Sequence, residues 1–304
     1  MVPPAWVALG KETFASPIYD VVLHGKDDYK PEDIDYFVGF RPPPGFLKTL
    51  TNMKLVISFG AGVDGFLADP EFPRQIRLVR FTDPALAYEM SQYVLMHTLI
   101  AHRTQRYFDQ AQKEGAWRQR MMPRATDKTR IGILGMGEIG GKIAERAASL
   151  GFVVSGWSKT RKNIAGVKSY AGQGELNAFL GQCDYLVVVL PHTPETINMM
   201  DKKFFAQLPQ GAWVINVARG SIIVDEDMIA SLDSGHLGGA VLDVFRTEPL
   251  PEGHPFWKHP KITLTPHVAG VTDPRMALSY VENCVRQNEA GETLADIVDL
   301  DRGY

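Results

Sequence analysis

The sequence predicts an α/β protein built as two units, the larger around a doubly wound parallel sheet. Three observations carry that expectation. Short apolar runs alternate with helical stretches along the chain, a glycine-rich turn stands between one such run and the helix after it, and 304 residues suffice for about two domains. A hydrophobic content of 45% allows a sizeable core in each.

Trp6–Leu9, Val21–Leu23, Tyr36–Phe40 and Leu55–Ser58 read as strands of a first, smaller unit. Pro42-Pro43-Pro44-Gly45 is a rigid break after the third of them. Glu89 to Arg106 lacks Gly and Pro and repeats apolar residues at helical spacing, so one long helix is expected there. Gly115 to Thr129 reads as an irregular basic connection carrying Trp117, Met121 and Met122. A second series follows, with strands at Ile131–Leu134, Val153–Trp157, Tyr185–Leu190, Trp213–Val217, Gly239–Val244 and Ile262–Leu264. Helices are expected between them at Ile143–Leu150, Leu176–Leu180, Lys202–Gln207 and Asp225–Asp233. Such alternation implies parallel strands with crossover helices. Pro274 to Ala290 is helical again and returns to the first unit. The expected division is therefore 1–89 with 274–304, and 90–273.

Gly135-Met136-Gly137-Glu138-Ile139-Gly140 follows a strand and opens a helix. In that context the first glycine allows a tight turn, the second lets a pyrophosphate approach the backbone, and the third lets helix and strand pack closely. This is the Rossmann-type arrangement, and a dinucleotide is the expected cofactor. An NAD site wants a carboxylate at the end of the next strand for the ribose 2′-hydroxyl. Here the chain reads Trp157-Ser158-Lys159-Thr160-Arg161-Lys162. Hydroxyls at Ser158 and Thr160 and cations at Lys159 and Arg161 suit a 2′-phosphate, so NADPH is expected over NADH. The competing reading is a solvated basic loop.

Three later segments supply a guanidinium, a carboxylate and an imidazole: Val217-Ala218-Arg219-Gly220, Arg246-Thr247-Glu248-Pro249 and Thr265-Pro266-His267-Val268-Ala269-Gly270. Hydride transfer to a 2-oxo acid needs a grip on the acid, a proton for the oxygen, and a partner for the proton donor. Each residue alone has a plainer reading: a salt-bridged arginine, a loop carboxylate, a satisfied loop histidine. Their order after the glycine turn is what gives them weight.

With these motifs, nearly the whole chain resembles the D-isomer-specific 2-hydroxyacid dehydrogenase family. Within it, Leu190-Pro191-His192-Thr193-Pro194-Glu195-Thr196, Leu242-Asp243-Val244-Phe245 and the terminal Asp301-Arg302-Gly303-Tyr304 look most like its glyoxylate/hydroxypyruvate reductase A group. The resemblance implies that the smaller unit is a flavodoxin-like substrate domain made from both chain ends. It implies His267 as general acid/base, Glu248 as the carboxylate that holds and charges it, and Arg219 as the anchor of the substrate carboxylate and carbonyl. It further implies that Gly60-Ala61-Gly62-Val63-Asp64 receives the substrate carboxylate on backbone amides, chiefly through Ala61 and Gly62. Asp243 would bond the nicotinamide carboxamide. Leu190, Pro191, His192, Thr193 and Thr196 would line the cofactor, as would Val217, Ala218, Arg219, His267 and Gly270. His192 has a purely structural reading of equal merit. Reduction of glyoxylate and hydroxypyruvate to glycolate and D-glycerate is the expected activity, with another small 2-oxo or 2-hydroxy acid as the alternative substrate.

A homodimer through the Glu89–Arg106 region is implied by resemblance; two domains around a cleft further imply closure, with hinges near Glu89 and Pro274. The segment around Trp117 and Met121-Met122 would approach the neighbouring site, with core packing or a local apolar patch as the alternatives. Phe40, Arg41, Phe46 and Trp117 are candidates for the pocket wall.

The net charge of −3 gives no sign of a nucleic-acid partner. Cys183 and Cys284 make no disulfide framework. No secretory signal or membrane-spanning run is read, so a cytoplasmic location is expected. His24, His97, His102, His236, His254 and His259 show no metal-ligand context, and no metal is expected. Two other functions share these features. One is a formate- or phosphite-type donor oxidiser, against which the retained Glu–His pair speaks in the formate case. The other is a non-catalytic dinucleotide sensor, against which the lack of long disordered tails speaks weakly.

Overall fold

The computed structural model describes residues 9, 10, 12–14, 19–82, 84–119 and 124–303. In chain order its strands are β1 (Tyr36–Gly39), β2 (Leu55–Ser58), β3 (Arg77–Arg80), β4 (Arg130–Leu134), β5 (Val153–Ser158), β6 (Val167–Ala171), β7 (Tyr185–Val188), β8 (Ala212–Asn216), β9 (Leu237–Leu242) and β10 (Ile262–Leu264). The longer helices are α1 (Pro84–His102), α2 (Gln105–Lys113), α3 (Glu138–Ser149), α4 (Gly172–Leu180), α5 (Asp225–Asp233) and α6 (Pro274–Glu289). The chain divides into two compact units, Met1–Asp83 with Thr272–Tyr304, and Pro84–Val271. The α/β class and the parallel pairing expected from the sequence are both present.

In the larger unit seven parallel strands run in the order β10-β9-β8-β7-β4-β5-β6. Side chains alternate across a strand, and here both faces are covered. Leu186, Val188, Val214, Ala240 and Leu242 pack with Leu176, Phe179 and Leu180 of α4 and Met228 and Leu232 of α5. Tyr185, Val187, Ile215 and Val241 point the other way, to Met90 and Val94 of α1 and Ile143, Ala144 and Ala147 of α3. Double-sided burial explains why these strands read as unbroken apolar runs rather than as alternating ones. From β4 the chain steps outward through β5 and β6 and then returns to β7 on the other side of β4. That reversal opens a crevice at the strands' C-terminal ends, where open α/β sheets bind ligands.

In the smaller unit β1, β2 and β3 form a parallel sheet in that order. Leu55 and Ile57 of β2 face Ala277, Leu278, Val281, Cys284 and Val285 of α6. Val56 and Leu78 face Leu47, Phe66 and Phe72 on the other side. The α6 residues recur at helical spacing, which is why this C-terminal segment folds onto a sheet made by the N-terminal one. Pro274 occupies the first turn, and the Asp273 carboxylate accepts the Arg275 N–H at 2.8 Å.

Several expectations need correction. Val21–Leu23 is not a strand: the Leu23 N–H donates to the Asp27 carboxylate at 3.0 Å, and its carbonyl accepts from Lys26 and Asp27, so a turn consumes the groups that pairing would need. Trp6–Ala8 lie outside the described residues, and Leu9 is helical. The single helix expected at Glu89–Arg106 is two. It begins earlier, at Pro84, and breaks at Thr104, whose φ of 54° no α-helix accommodates. Beyond the break, Arg106 donates to the Ile262 carbonyl at 3.0 Å and to the Thr263 hydroxyl, tying α2 to β10. β3 and β6 were not anticipated. One is a four-residue strand closed by arginines, the other an edge strand broken by Lys168 and Ser169, so neither presents a strong apolar period.

Candidate active site

Gly135 follows β4 at φ 111°, and its N–H donates to the Trp157 carbonyl at 2.9 Å. A Cβ there would stand 2.6 Å from the Val189 carbonyl oxygen, and one on Gly140 would stand 1.9 Å from the Gly135 oxygen. Both positions therefore exclude any side chain. Gly137 differs: nothing lies within 4 Å of where its Cβ would be. The space over the turn is open, and Gly137 caps α3 without a side-chain bond. The first-turn amides of α3 are thus available to an anion, and the residues present fit a dinucleotide pyrophosphate.

The neighbours sort into packing and open groups. Met136 is buried beneath the turn, and a Cβ on Gly156 would meet its sulfur at 2.2 Å. The Trp157 indole is buried and donates to the Gly172 carbonyl at 2.9 Å. Both side chains are thus committed to packing. Ser158 Oγ donates to the Thr160 carbonyl at 2.7 Å. Lys159 pairs with Glu195 at 2.5 Å, and Arg161 with Glu175 at 2.6 Å. After β7, Thr196 Oγ1 accepts from the Thr193 N–H at 2.9 Å and donates to the Pro191 carbonyl at 2.8 Å, which closes that loop into a fixed turn. His192 is partly buried within it.

The three candidate catalytic residues each follow a strand end of the same sheet. Arg219 follows β8. The fully buried Asn216 braces its loop, accepting the Ala218 N–H at 3.0 Å and donating to the Arg219 carbonyl at 3.0 Å. Glu248 follows β9, where Oε1 accepts the Phe245 N–H at 2.8 Å and Oε2 lies 2.8 Å from His267 Nδ1. Burial alone would raise the Glu248 carboxyl. The bonds from His267 and Phe245 and the charges of His267 and Arg219 outweigh it and hold the group below the usual carboxylate range. One ionised carboxylate thus senses both the imidazole and the guanidinium, so the three residues that are far apart in sequence share one site.

His267 sits at φ 57°, a left-handed conformation that costs a non-glycine residue on the order of 1 kcal/mol or more. Asp243, fully buried at the end of β9, holds it there. The Asp243 carbonyl accepts the His267 N–H at 2.8 Å, and the carboxylate accepts the N–H groups of Val268 and Ala269, each at 2.8 Å. Thr265 Oγ1 donates to the same carboxylate at 2.6 Å and lies 2.5 Å from the Tyr93 hydroxyl of α1. Burial pushes the Tyr93 hydroxyl up to about 12, so it stays protonated. Gly270 ends the loop against α1, where a Cβ would meet Leu86 at 2.5 Å. Asn216, Tyr93 and Thr265 were not singled out from the sequence. Thr265 lay inside a quoted motif, but no role was read for it. Their signal is their partners, which only the fold reveals.

In the smaller unit the Gly60–Asp64 loop follows β2. The buried Ser58 hydroxyl organises it, donating to the Gly60 carbonyl at 2.9 Å, and Ala61 and Gly62 lie within that turn. Phe46 packs against His24 and Phe37, and Phe40 against Phe59. Trp117 is 95% exposed, which overturns core packing for it. Met121 and Met122 lie outside the described residues.

Comparison with known proteins agrees with this geometry. The family described as D-isomer specific 2-hydroxyacid dehydrogenase, NAD binding domain, matches residues 95–269. Glyoxylate/hydroxypyruvate reductase A of Yersinia enterocolitica is 39% identical over 275 residues, covering 89% of this chain and 88% of that one. The same-named protein of Serratia proteamaculans matches to the same extent, 39% over 275 residues. A D-isomer specific 2-hydroxyacid dehydrogenase from Xanthobacter autotrophicus, solved with NADPH and MES, superposes with a TM-score of 0.91 at 38% identity, covering 100% of this chain and 96% of that one. The NADPH-dependent glyoxylate/hydroxypyruvate reductase of Sinorhizobium meliloti, solved with NADP and sulfate, gives 0.90 at 36%, covering 99% and 97%. Likeness in sequence and backbone over nearly the full length reflects kinship as well as shape, and the chain belongs to the D-isomer-specific 2-hydroxyacid dehydrogenase family of NAD(P)-dependent oxidoreductases.

Proposed function

We propose that this enzyme uses NADPH to reduce glyoxylate and hydroxypyruvate to glycolate and D-glycerate. The observation that carries the reading is the 2.8 Å contact of His267 Nδ1 with a Glu248 carboxylate that also feels the charge of Arg219. NADPH bound at the glycine turn would supply the hydride to the carbonyl carbon. Arg219 grips the substrate carboxylate and meets the negative charge growing on the carbonyl oxygen. His267, with Nδ1 held by Glu248, gives that oxygen a proton from Nε2. Hydride on carbon and proton on oxygen complete the alcohol.

The names of the relatives support this substrate pair, and the absence of a carboxylate in residues 157–162 supports NADPH over NADH. In the same reading residues 84–271 hold the cofactor. Ala61 and Gly62 are small enough at Cβ, or lack it, for their backbone amides to approach a carboxylate. We further propose a homodimer, supported by the exposed Tyr88, Met96 and Leu99 on α1 and by Trp117. A cytoplasmic location fits two buried free thiols.

The test is a steady-state comparison of NADPH with NADH across glyoxylate, hydroxypyruvate and pyruvate, in the native protein and in His267→Ala and Arg219→Ala. Each substitution should lower kcat/KM by about 10²-fold or more with folding intact. Near-native turnover in either would defeat the mechanism. No turnover of any 2-oxo acid would favour a dinucleotide sensor.

A further inference from the structure

Two of the cations expected to meet a 2′-phosphate are held very differently. Arg161 is built into the β6–α4 junction. It donates to the Ser169 carbonyl at 2.5 Å and to Glu175 at 2.6 Å. Glu175 in turn accepts the Ala171 N–H at 2.6 Å. That backbone bond, followed by Arg161, holds the Glu175 carboxyl below its ordinary value. Moving Arg161 to a ligand would break contacts on both sides of it. Lys159 follows β5 and pairs with Glu195 at 2.5 Å; its side chain, like that of Arg161, is more than half exposed.

The position of that second pair in the sheet matters. β4 lies between β5 and β7, with Leu134 in register with Trp157 on one side and Val188 on the other. Lys159 belongs to the loop after β5, and Glu195 to the loop after β7. The bond between them therefore passes from one side of β4 to the other, at the strand end where the glycine turn opens. The Glu195 loop is itself rigid, because Thr196 closes it onto Pro191 and Thr193. Glu195 thus presents a carboxylate, from a loop closed by its own hydrogen bonds, to a lysine at the strand end where a 2′-phosphate would arrive.

We propose that Glu195 competes internally with the cofactor's 2′-phosphate for Lys159, and so sets how far the enzyme prefers NADP(H) over NAD(H). This rests on the NADP(H) reading above. Binding a 2′-phosphate exchanges one anionic partner of Lys159 for another. Only part of the new ion pair then appears as affinity, because the old one is given up. Cofactors without the 2′-phosphate leave the Lys159–Glu195 pair intact.

The experiment is calorimetric titration of the native enzyme, Glu195→Gln, Lys159→Met and the double variant with 2′,5′-ADP and with 5′-AMP. Exposed ion pairs are weak, so Glu195→Gln should tighten 2′,5′-ADP only about two- to fivefold, with 5′-AMP unchanged. In the Lys159→Met background the same substitution should do nothing, which separates competition from a general effect of removing a negative charge. Four results overturn the proposal. Equal tightening of both ligands, or tightening that persists without Lys159, assigns Glu195 a diffuse electrostatic role. No change in Glu195→Gln, while Lys159→Met weakens 2′,5′-ADP selectively, removes the competitor and keeps the cofactor reading. An unchanged ratio of the two ligands in Lys159→Met removes Lys159 from phosphate recognition and the competitor with it.

Discussion

Gly220 and Phe245 meet backbone to backbone: a Cβ on Gly220 would stand 2.0 Å from the Phe245 carbonyl carbon and 2.3 Å from the Arg246 nitrogen. The contact joins two loops that carry different chemistry. Arg219 immediately precedes Gly220, and Glu248 is bonded back to the Phe245 N–H. Arg246 adds a second clasp, donating to the Ile223 carbonyl and to the Asn198 side chain, each at 2.6 Å. The spacing between guanidinium and carboxylate is thus set by main-chain contact, which is stiffer than any pair of side chains.

Gly220→Ala should therefore act on catalysis from outside the reacting groups. The methyl has no vacant space at 2.0 Å from the Phe245 carbonyl carbon, so the two loops must part by about an ångström or more. A displacement of that size typically lowers rates about 10²-fold. We expect kcat/KM to fall by about that factor and Tm to drop with it. An alanine variant with native Tm and native kcat/KM would show that the loops are not coupled through this contact.

The depressed Glu248 carboxyl has a consequence for stability against pH. Its folded value lies below the ordinary carboxylate value, so the native state binds this proton less readily than the unfolded chain does. The stabilisation is complete above the unfolded value and disappears as pH falls through the folded one. Glu248→Gln should therefore be less stable than the native enzyme at neutral pH, with the gap closing in acid. Denaturant midpoints at neutral pH and in acid measure it. A gap that stays constant, or widens in acid, would mean that the Glu248 bonds to His267 and Phe245 do not favour the ionised form.

That Arg219, Glu248 and His267 come together was legible because each sits in a short motif: the three could be named as candidates from residue type and order. The strands of the large sheet were legible because both of their faces are buried, as Tyr185–Val188 shows. What was hidden depends on partners distant in sequence. Asn216 looks like the polar end of a strand until it is seen bracing Arg219. Lys159 and Arg161 look alike in sequence, and only Glu195, Glu175 and the Ser169 carbonyl tell them apart. The break at Thr104 leaves no mark in composition, because neither Gly nor Pro is needed when Arg106 reaches β10. Trp117 stands in the open, as a residue of an exposed connection would, and only the core-packing alternative for it fails.

Asp243 gives the last and sharpest test of how His267 is positioned. Its carboxylate accepts from Thr265, Val268 and Ala269, all donors, so each oxygen must remain an acceptor. Asn at this position would turn an N–H₂ group toward at least one of them, leaving a buried donor without a partner at a cost of about 1–3 kcal/mol. The loop would relax, and with it the left-handed conformation that aligns His267 with Glu248. Asp243→Asn should lower kcat about 10²-fold and reduce Tm. Thr265→Val removes one donor and should lower kcat less, whereas Thr265→Ser, which keeps the hydroxyl, should restore it. If Asp243→Asn instead raises KM for the cofactor with kcat unchanged, the carboxylate serves the nicotinamide alone, and the His267 loop keeps its shape without it.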